Sequence, residues 1–209
     1  LAPAWMRSIA TSNGCEAPSI EGRFTACDLG CGKGVSTLIL AANYPLGEFH
    51  GCDISAPHIE FADRVKSRAG VANAHFHARS FGELLDADLP PFDFITLHGV
   101  YGWVPPQVRD DLHALIRKRL APGGLVMVSY NAQPGWAQIE PLRVLLRQSA
   151  ARETGDTAER VRKAFTYLQA MAREGAGYFA VSPIAVKQLG RMATQDLRYV
   201  VHEYLAPDS

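Results

Sequence analysis

Phe24-Thr25-Ala26-Cys27-Asp28-Leu29-Gly30-Cys31-Gly32-Lys33-Gly34-Val35-Ser36 is the stretch that decides how this chain is read. A short apolar run closes on an acid and breaks into three alternating glycines. It then resumes with Val35, Leu38, Ile39 and Ala42 at helical spacing. The pattern predicts a strand, a tight turn and a helix. Glycine tolerates positive φ and lets backbone approach a ligand closely, so three in five positions mark a ligand loop. The free N–H groups of the following helix start face the same spot.

Working outward, Phe49 to Ile54 reads as a second buried strand closing on Asp53. An acid about 20 residues past such glycines sits where a ribose diol is bound in doubly wound sheets. Ser55 then caps a helix with the stripe Ile59, Ala62, Val65 and Ala69, which Gly70 stops. A third strand spans Asn73 to Arg79, with His75 and His77 opposite Phe76 and Ser80-Phe81 at its end. The fourth, Phe92 to His98, opens into Gly99-Val100-Tyr101-Gly102-Trp103-Val104. Pro106 starts a helix lined by Val108, Leu112, Leu115 and Ile116, which Ala121-Pro122-Gly123-Gly124 ends. Leu125 to Tyr130 is a fifth apolar run. Residues 3 to 13 carry Trp5, Met6 and Ile9 as a short leading helix.

Strands alternating with helices in this rhythm predict an α/β chain, a Rossmann-like doubly wound, mostly parallel sheet. From Ile139 the character changes to amphipathic helices carrying Leu142, Leu145 and Leu146, then Val161, Phe165 and Leu168, then Pro183 to Ala193. Two strand-like pieces, Tyr178 to Val181 and Leu197 to Leu205, lie among them. Residues 1–138 are therefore read as a ligand-binding domain. Residues 139–209 are read as a helical extension whose late strands complete the sheet or lead to a further domain.

Composition narrows the partners. Twenty-one basic and 21 acidic residues cancel, so no global field favours nucleic acid or an anionic membrane. Cys15, Cys27, Cys31 and Cys52 lack paired metal spacing and fit a reduced, cytoplasmic setting. No metal centre is expected, and no apolar run is long enough to span a bilayer. A homodimer stays open.

The loop's chemistry excludes two common nucleotide motifs. A dinucleotide fingerprint needs a sixth-position glycine where this chain has Val35, and a P-loop needs Ser or Thr after Lys33 where it has Gly34. Gly-x-Gly-x-Gly with an acid two residues before it instead resembles motif I of the class I S-adenosylmethionine (SAM) methyltransferases. The likeness extends over the first 130 residues through Asp53, the Phe92-Asp93 strand and the Leu120-Ala121-Pro122-Gly123-Gly124 turn. A narrower likeness is to bacterial methyltransferases that carry a methyltransferase regulatory domain. It rests on Leu97-His98-Gly99-Val100-Tyr101-Gly102-Trp103-Val104, on Ser129-Tyr130-Asn131-Ala132-Gln133-Pro134-Gly135-Trp136, and on His202-Glu203-Tyr204-Leu205. It implies a longer protein whose regulatory part lies outside this sequence.

The resemblance implies SAM as cofactor, S-adenosylhomocysteine (AdoHcy) as product, and an oxygen or nitrogen of a small molecule, or a protein lysine, as acceptor. A SAM-sensing domain without catalysis is the alternative. Asp28, Gly30, Cys31, Gly32 and Gly34 would hold the methionine moiety, Asp53 the ribose and Ile54 the adenine. Ser80 and Phe81 stand where many relatives carry an acid for the adenine amine. His98, at a strand tip, is read as a base, as pocket lining or as a buried structural histidine. Tyr101 and Trp103 offer aromatic faces to a sulfonium or a cationic acceptor, with core packing the rival for Trp103. Asn131 and Trp136 would join the crevice from the loop after the fifth strand, with a Pro-Gly turn and a packed tryptophan as the plain alternative.

Overall fold

Five parallel strands carry the first unit: β1 (Phe24–Leu29), β2 (Gly47–Asp53), β3 (Ala74–Ala78), β4 (Phe92–His98) and β5 (Leu120–Ser129). A computed structural model describes residues 2–197, 200, 201 and 204. The sheet order is β3-β2-β1-β4-β5. The chain therefore runs outward from β1 in one direction, then returns to β1's other side with β4. Parallel strands that reverse order in this way leave a crevice between the carboxyl ends of the two strands at the switch, here β1 and β4.

Helices cover both faces, as crossovers between parallel strands require. One face buries Cys27, Leu29, Cys52, Ile95 and Leu97 with Leu84 of α4 (Phe81–Leu85) and Leu112 and Leu115 of α5 (Pro106–Arg119). The other buries Ala26, Phe49, Ala74 and Phe94 with Met6 of α1 (Pro3–Ser12) and Leu38 and Ala41 of α2 (Val35–Asn43). Val65 of α3 (Ala56–Ala69) packs against that second cluster. Leu84, Leu97 and Leu112 are fully enclosed, each stabilising the fold by roughly 1.5–3 kcal/mol. The stripe on α2 is turned from the expected one. Thr37, Leu38 and Ala41 face inward, while Val35 and Ile39 are exposed.

Polar side chains fix the strand ends. The Asp93 carboxylate accepts the Thr25 N–H at 2.8 Å, joining β1 to β4 ahead of their first paired residues, Ala26 and Phe94. Arg119 closes α4 from the last turn of α5, donating to the Leu89 carbonyl at 2.6 Å and also to those of Leu85 and Ala87. Three carbonyls at and beyond the end of α4 thus meet one guanidinium.

The described residues separate into two compact units that divide after Tyr130, eight residues before the boundary read from the sequence. The second unit holds α6 (Glu140–Arg152), α7 (Thr157–Arg173), α8 (Gly177–Val181) and α9 (Pro183–Met192). Leu142, Leu146, Val161, Leu168, Phe179, Ala185 and Leu189 form its core. Asp156 caps α7 by accepting the Glu159 N–H at 2.8 Å.

Three expectations are corrected. Tyr178 to Val181 is helical, its Phe179 buried among the other helices rather than alternating across a sheet. Leu197, Val200, Val201 and Tyr204 are helical as well, and their spacing also suits a helix face; His202, Glu203 and Leu205 lie outside the described residues. Among the described residues no strand follows β5, so none completes the sheet. Lastly, Ala121 to Gly124 does not form a separate turn. It is taken into β5, where a register shift opposite Phe92 and Phe94 absorbs the two glycines.

Candidate functional site

The glycine turn sits at the carboxyl end of β1. Gly30, Gly32 and Gly34 all have positive φ, at 81°, 55° and 67°. Their surroundings differ. A Cβ on Gly30 would lie 2.3 Å from Cγ2 of Val100, so this turn and the loop after β4 are in close contact across the switch point. One on Gly34 would lie 2.4 Å from the Phe76 ring and 2.9 Å from Cβ of Ala62, so that glycine serves close packing of α2 on the sheet. On Gly32 it would meet nothing within 4 Å. Only Gly32 of the three faces open space, the condition for a ligand to approach its backbone.

Asp53 holds that open side in shape. One carboxylate oxygen accepts the Gly32 N–H at 2.9 Å and the other accepts the Ser55 N–H at 2.9 Å. Ser55 accordingly does not cap α3 through its side chain; its backbone is held by Asp53 instead. His58 Nδ1 lies 3.5 Å from the same carboxylate, a neighbour that no sequence pattern marked. Ile54, next to it, is 78 % exposed. An anchored carboxylate with spare lone pairs beside a bare apolar side chain suits a ribose carrying a flat base.

Asp28 is a brace as well as a candidate ligand. Its oxygens accept hydroxyls from Thr96 at 3.0 Å and Thr37 at 3.1 Å, tying β1 to β4 and α2. Burial raises its pKa, and the Thr96 and Thr37 hydrogen bonds and nearby His98 pull the other way. Cys31, within the turn, has its thiol pushed well up by burial, with Asp28 and Cys52 adding to the effect, so it packs rather than reacts. Ser80 is the N-cap of α4 in a reciprocal capping box. It accepts the Glu83 N–H at 3.3 Å while its own N–H donates to Glu83 at 2.8 Å. The Ser80 hydroxyl, donating to the Glu83 carboxylate at 2.7 Å, and the Ser80 N–H together hold that carboxyl below its usual range. Phe81 follows at the first turn, packed on the Leu84–Leu97 core.

Across the switch, His98 is exposed at the tip of β4, which removes the buried structural alternative. Its Nδ1 meets Ser129 Oγ at 2.7 Å, and the same hydroxyl accepts the Gly99 N–H at 3.3 Å. Ser129 is the register partner of His98 on β5. Tyr101 Oη meets His113 Nε2 at 3.0 Å, and Arg109 lies over one Tyr101 ring face at 5.6 Å. Tyr130, 60 % exposed, tilts against that ring with centroids 6.0 Å apart. Trp103 is half-buried in the turn after β4, its N–H donating to the Val100 carbonyl at 2.9 Å.

The first unit therefore brings together Asp28, the glycine turn, Asp53, Ile54, His98 and Tyr101 at one end of its strands. Asn131 and Trp136 belong to the second unit, where Trp136 stacks on Tyr204 with centroids 6.4 Å apart. Thr37, Thr96, Arg109, His113 and Ser129 were missed. For Thr96 the signal was available, since pairing β1 with β4 in parallel sets it opposite Asp28. Among the described residues no group of His, Cys, Asp or Glu is arranged to hold a metal ion, and no helix is long and apolar enough to cross a membrane.

Comparison with known proteins gives this geometry a context. Residues 20–198 match the model of a family described as a methyltransferase domain. An uncharacterised protein of Synechocystis sp. is 36% identical over 204 residues, 98% of this chain and 40% of that protein. The trans-aconitate 2-methyltransferase of Pseudomonas aeruginosa is 32% identical over 122 residues, 57% of this chain and 39% of the enzyme. Among solved structures, PKMT2 from Rickettsia typhi in complex with AdoHcy superposes with a TM-score of 0.79 at 31% identity, over 97% of this chain and 39% of that one. The chain thus spans about two fifths of the length of these relatives.

Proposed function

The chain belongs to the methyltransferase domain family, and from that premise we propose that it binds SAM at the β1–β4 switch and transfers its methyl group to an oxygen or nitrogen nucleophile, releasing AdoHcy. The observation that carries the reading is the open side of Gly32, fixed by Asp53 and flanked by exposed Ile54. AdoHcy bound to PKMT2, whose chain matches nearly all of this one, supports the same ligand.

When bound, SAM supplies an activated methyl on a positively charged sulfur. The chain's own residues then bind and orient. The Gly32 backbone approaches the amino-acid portion, the lone pairs that Asp53 keeps beyond its two N–H bonds take ribose hydroxyls, and Ile54 covers the base. Asp28 keeps β1, β4 and α2 in register beneath the site, and its carboxylate favours the ligand's ammonium. In the tautomer that donates Nδ1–H to Ser129, His98 presents Nε2 as a lone pair at the strand tip, placed to take the acceptor's proton. Aligning the acceptor in line with the C–S bond is the larger contribution, since such positioning can be worth roughly 7–11 kcal/mol.

A small molecule or a protein lysine is the acceptor in this reading, and the similarity to trans-aconitate 2-methyltransferase supports the first. The subgroup with a regulatory domain, the contribution of Trp103, a cytoplasmic location and a homodimer belong to the same proposal. The experiment is AdoHcy release from SAM with a broad acceptor mixture. Turnover that falls on His98→Gln while SAM affinity holds supports the base role. SAM binding without turnover leaves a sensing domain, and no SAM binding removes the reading.

A further inference from the structure

We infer that Arg109, with Tyr101, His113 and Tyr130, forms a subsite for a carboxylate of the methyl acceptor. The inference rests on the methyl-transfer reading above and names its substrate class. Arg109 sits in the first turn of α5, whose start lies at the same carboxyl end of the sheet as His98. Its guanidinium faces the Tyr101 ring at 5.6 Å, and its Nε is buried with no hydrogen-bond acceptor. Among the described residues no carboxylate lies within 4 Å of it and no carbonyl caps it. A buried guanidinium nitrogen has given up water, and an aromatic face replaces only the charge part of that loss. The terminal nitrogens, neither buried nor bonded among the described residues, are the part of the fork that an anion brought by a ligand can reach.

The neighbours make this more than a lone cation. The Tyr101 hydroxyl and His113 Nε2 share one hydrogen bond of 3.0 Å, a pair in which either atom can donate or accept beside the guanidinium. Tyr130 adds an exposed ring against Tyr101, and it follows Ser129, which binds His98. Ser129 meets His98, the next residue Tyr130 lies against Tyr101, and Arg109 lies over Tyr101, so these groups share the carboxyl end of the sheet. An acceptor whose nucleophile lies by His98 would rest on Tyr130 and reach Arg109 with its far end.

Charge selects the class. A cationic lysine placed on the Tyr101 face would meet a cation already there. A single formal positive charge in a planar fork pairs with one carboxylate of a ligand, the other carboxylates of a polyacid staying in solvent, whereas a phosphate dianion sets both its charges on that one cation.

The test titrates citrate, inorganic phosphate and a trilysine peptide separately into the intact protein saturated with AdoHcy. Citrate should bind saturably and the other two should not. Arg109→Gln should weaken citrate by roughly tenfold to a hundredfold while leaving AdoHcy affinity unchanged, which also shows that the variant folds. Arg109→Lys, which keeps the charge and loses the fork, should fall between. Absence of saturable citrate binding, equal citrate binding by Arg109→Gln, preference for phosphate, or trilysine binding that tightens in Arg109→Gln each overturns the inference. Failure of AdoHcy itself to bind would remove the methyl-transfer reading, while citrate titrated into the unliganded protein still reports on Arg109.

Discussion

Replacing Gly32 and Gly34 by alanine separates ligand approach from packing within one five-residue turn. Both have positive φ, so either alanine costs roughly 1–2 kcal/mol of conformational strain. Gly34→Ala adds a clash that has no easy relief. The new Cβ would sit 2.4 Å from Phe76, and that ring also lies close against Gly51, where a Cβ would come within 2.7 Å. Overpacking of this kind costs roughly 1–3 kcal/mol, for a total of about 2–5 kcal/mol. Gly32→Ala meets nothing within 4 Å and carries the strain alone. Its methyl projects into the space assigned to the ligand and should weaken AdoHcy at least about tenfold. Urea denaturation gives the stabilities and calorimetry the affinities. Gly32→Ala with unimpaired AdoHcy affinity, or Gly34→Ala no less stable than Gly32→Ala, would contradict these two roles.

Acid should weaken the fold through His50, whose pKa is lowered from 6.5 to about 4 by burial, with His75 and His77 adding to it. A depressed histidine favours the neutral folded form, so stability is full above 6.5 and declines as pH falls towards 4, by about 3 kcal/mol at most. Denaturation at a series of pH values should show this slope, flattened in His50→Asn. Arg119→Met leaves the carbonyls of Leu85, Ala87 and Leu89 without their shared donor and should cost about 3 kcal/mol in a urea midpoint measurement. A change within 0.5 kcal/mol would mean that water replaces it without loss. Asp53→Ala frees the Gly32 and Ser55 N–H groups and removes the ribose partner; AdoHcy affinity should fall by roughly 1–3 kcal/mol. Unchanged affinity would take Asp53 out of the site.

The first unit was legible because its strands are apolar runs punctuated by glycine or proline, and because Asp28, Asp53 and His98 each stand at a strand end. What periodicity could not show was contact between distant elements. Tyr101 reaches His113, and Arg109 meets the Tyr101 ring, through the angle at which α5 leaves the sheet, which no local pattern encodes. The errors have a similar origin. Tyr178 to Val181 and the run from Leu197 are short and apolar, compatible with either strand or helix until neighbours decide, and here helical neighbours bury Phe179, Val200 and Tyr204. Gly34 reads as a ligand residue by motif, and no local pattern shows that Phe76 and Ala62 also crowd its Cα.

Methyl transfer by this chain requires the open side of Gly32 beside Asp53 to accept an adenosyl ligand. Calorimetric titration of AdoHcy into the folded protein tests it most directly. A saturable one-to-one isotherm that is abolished or much weakened in Gly32→Ala is the expected result. A flat isotherm with AdoHcy and SAM alike, from protein shown to be folded, would contradict it.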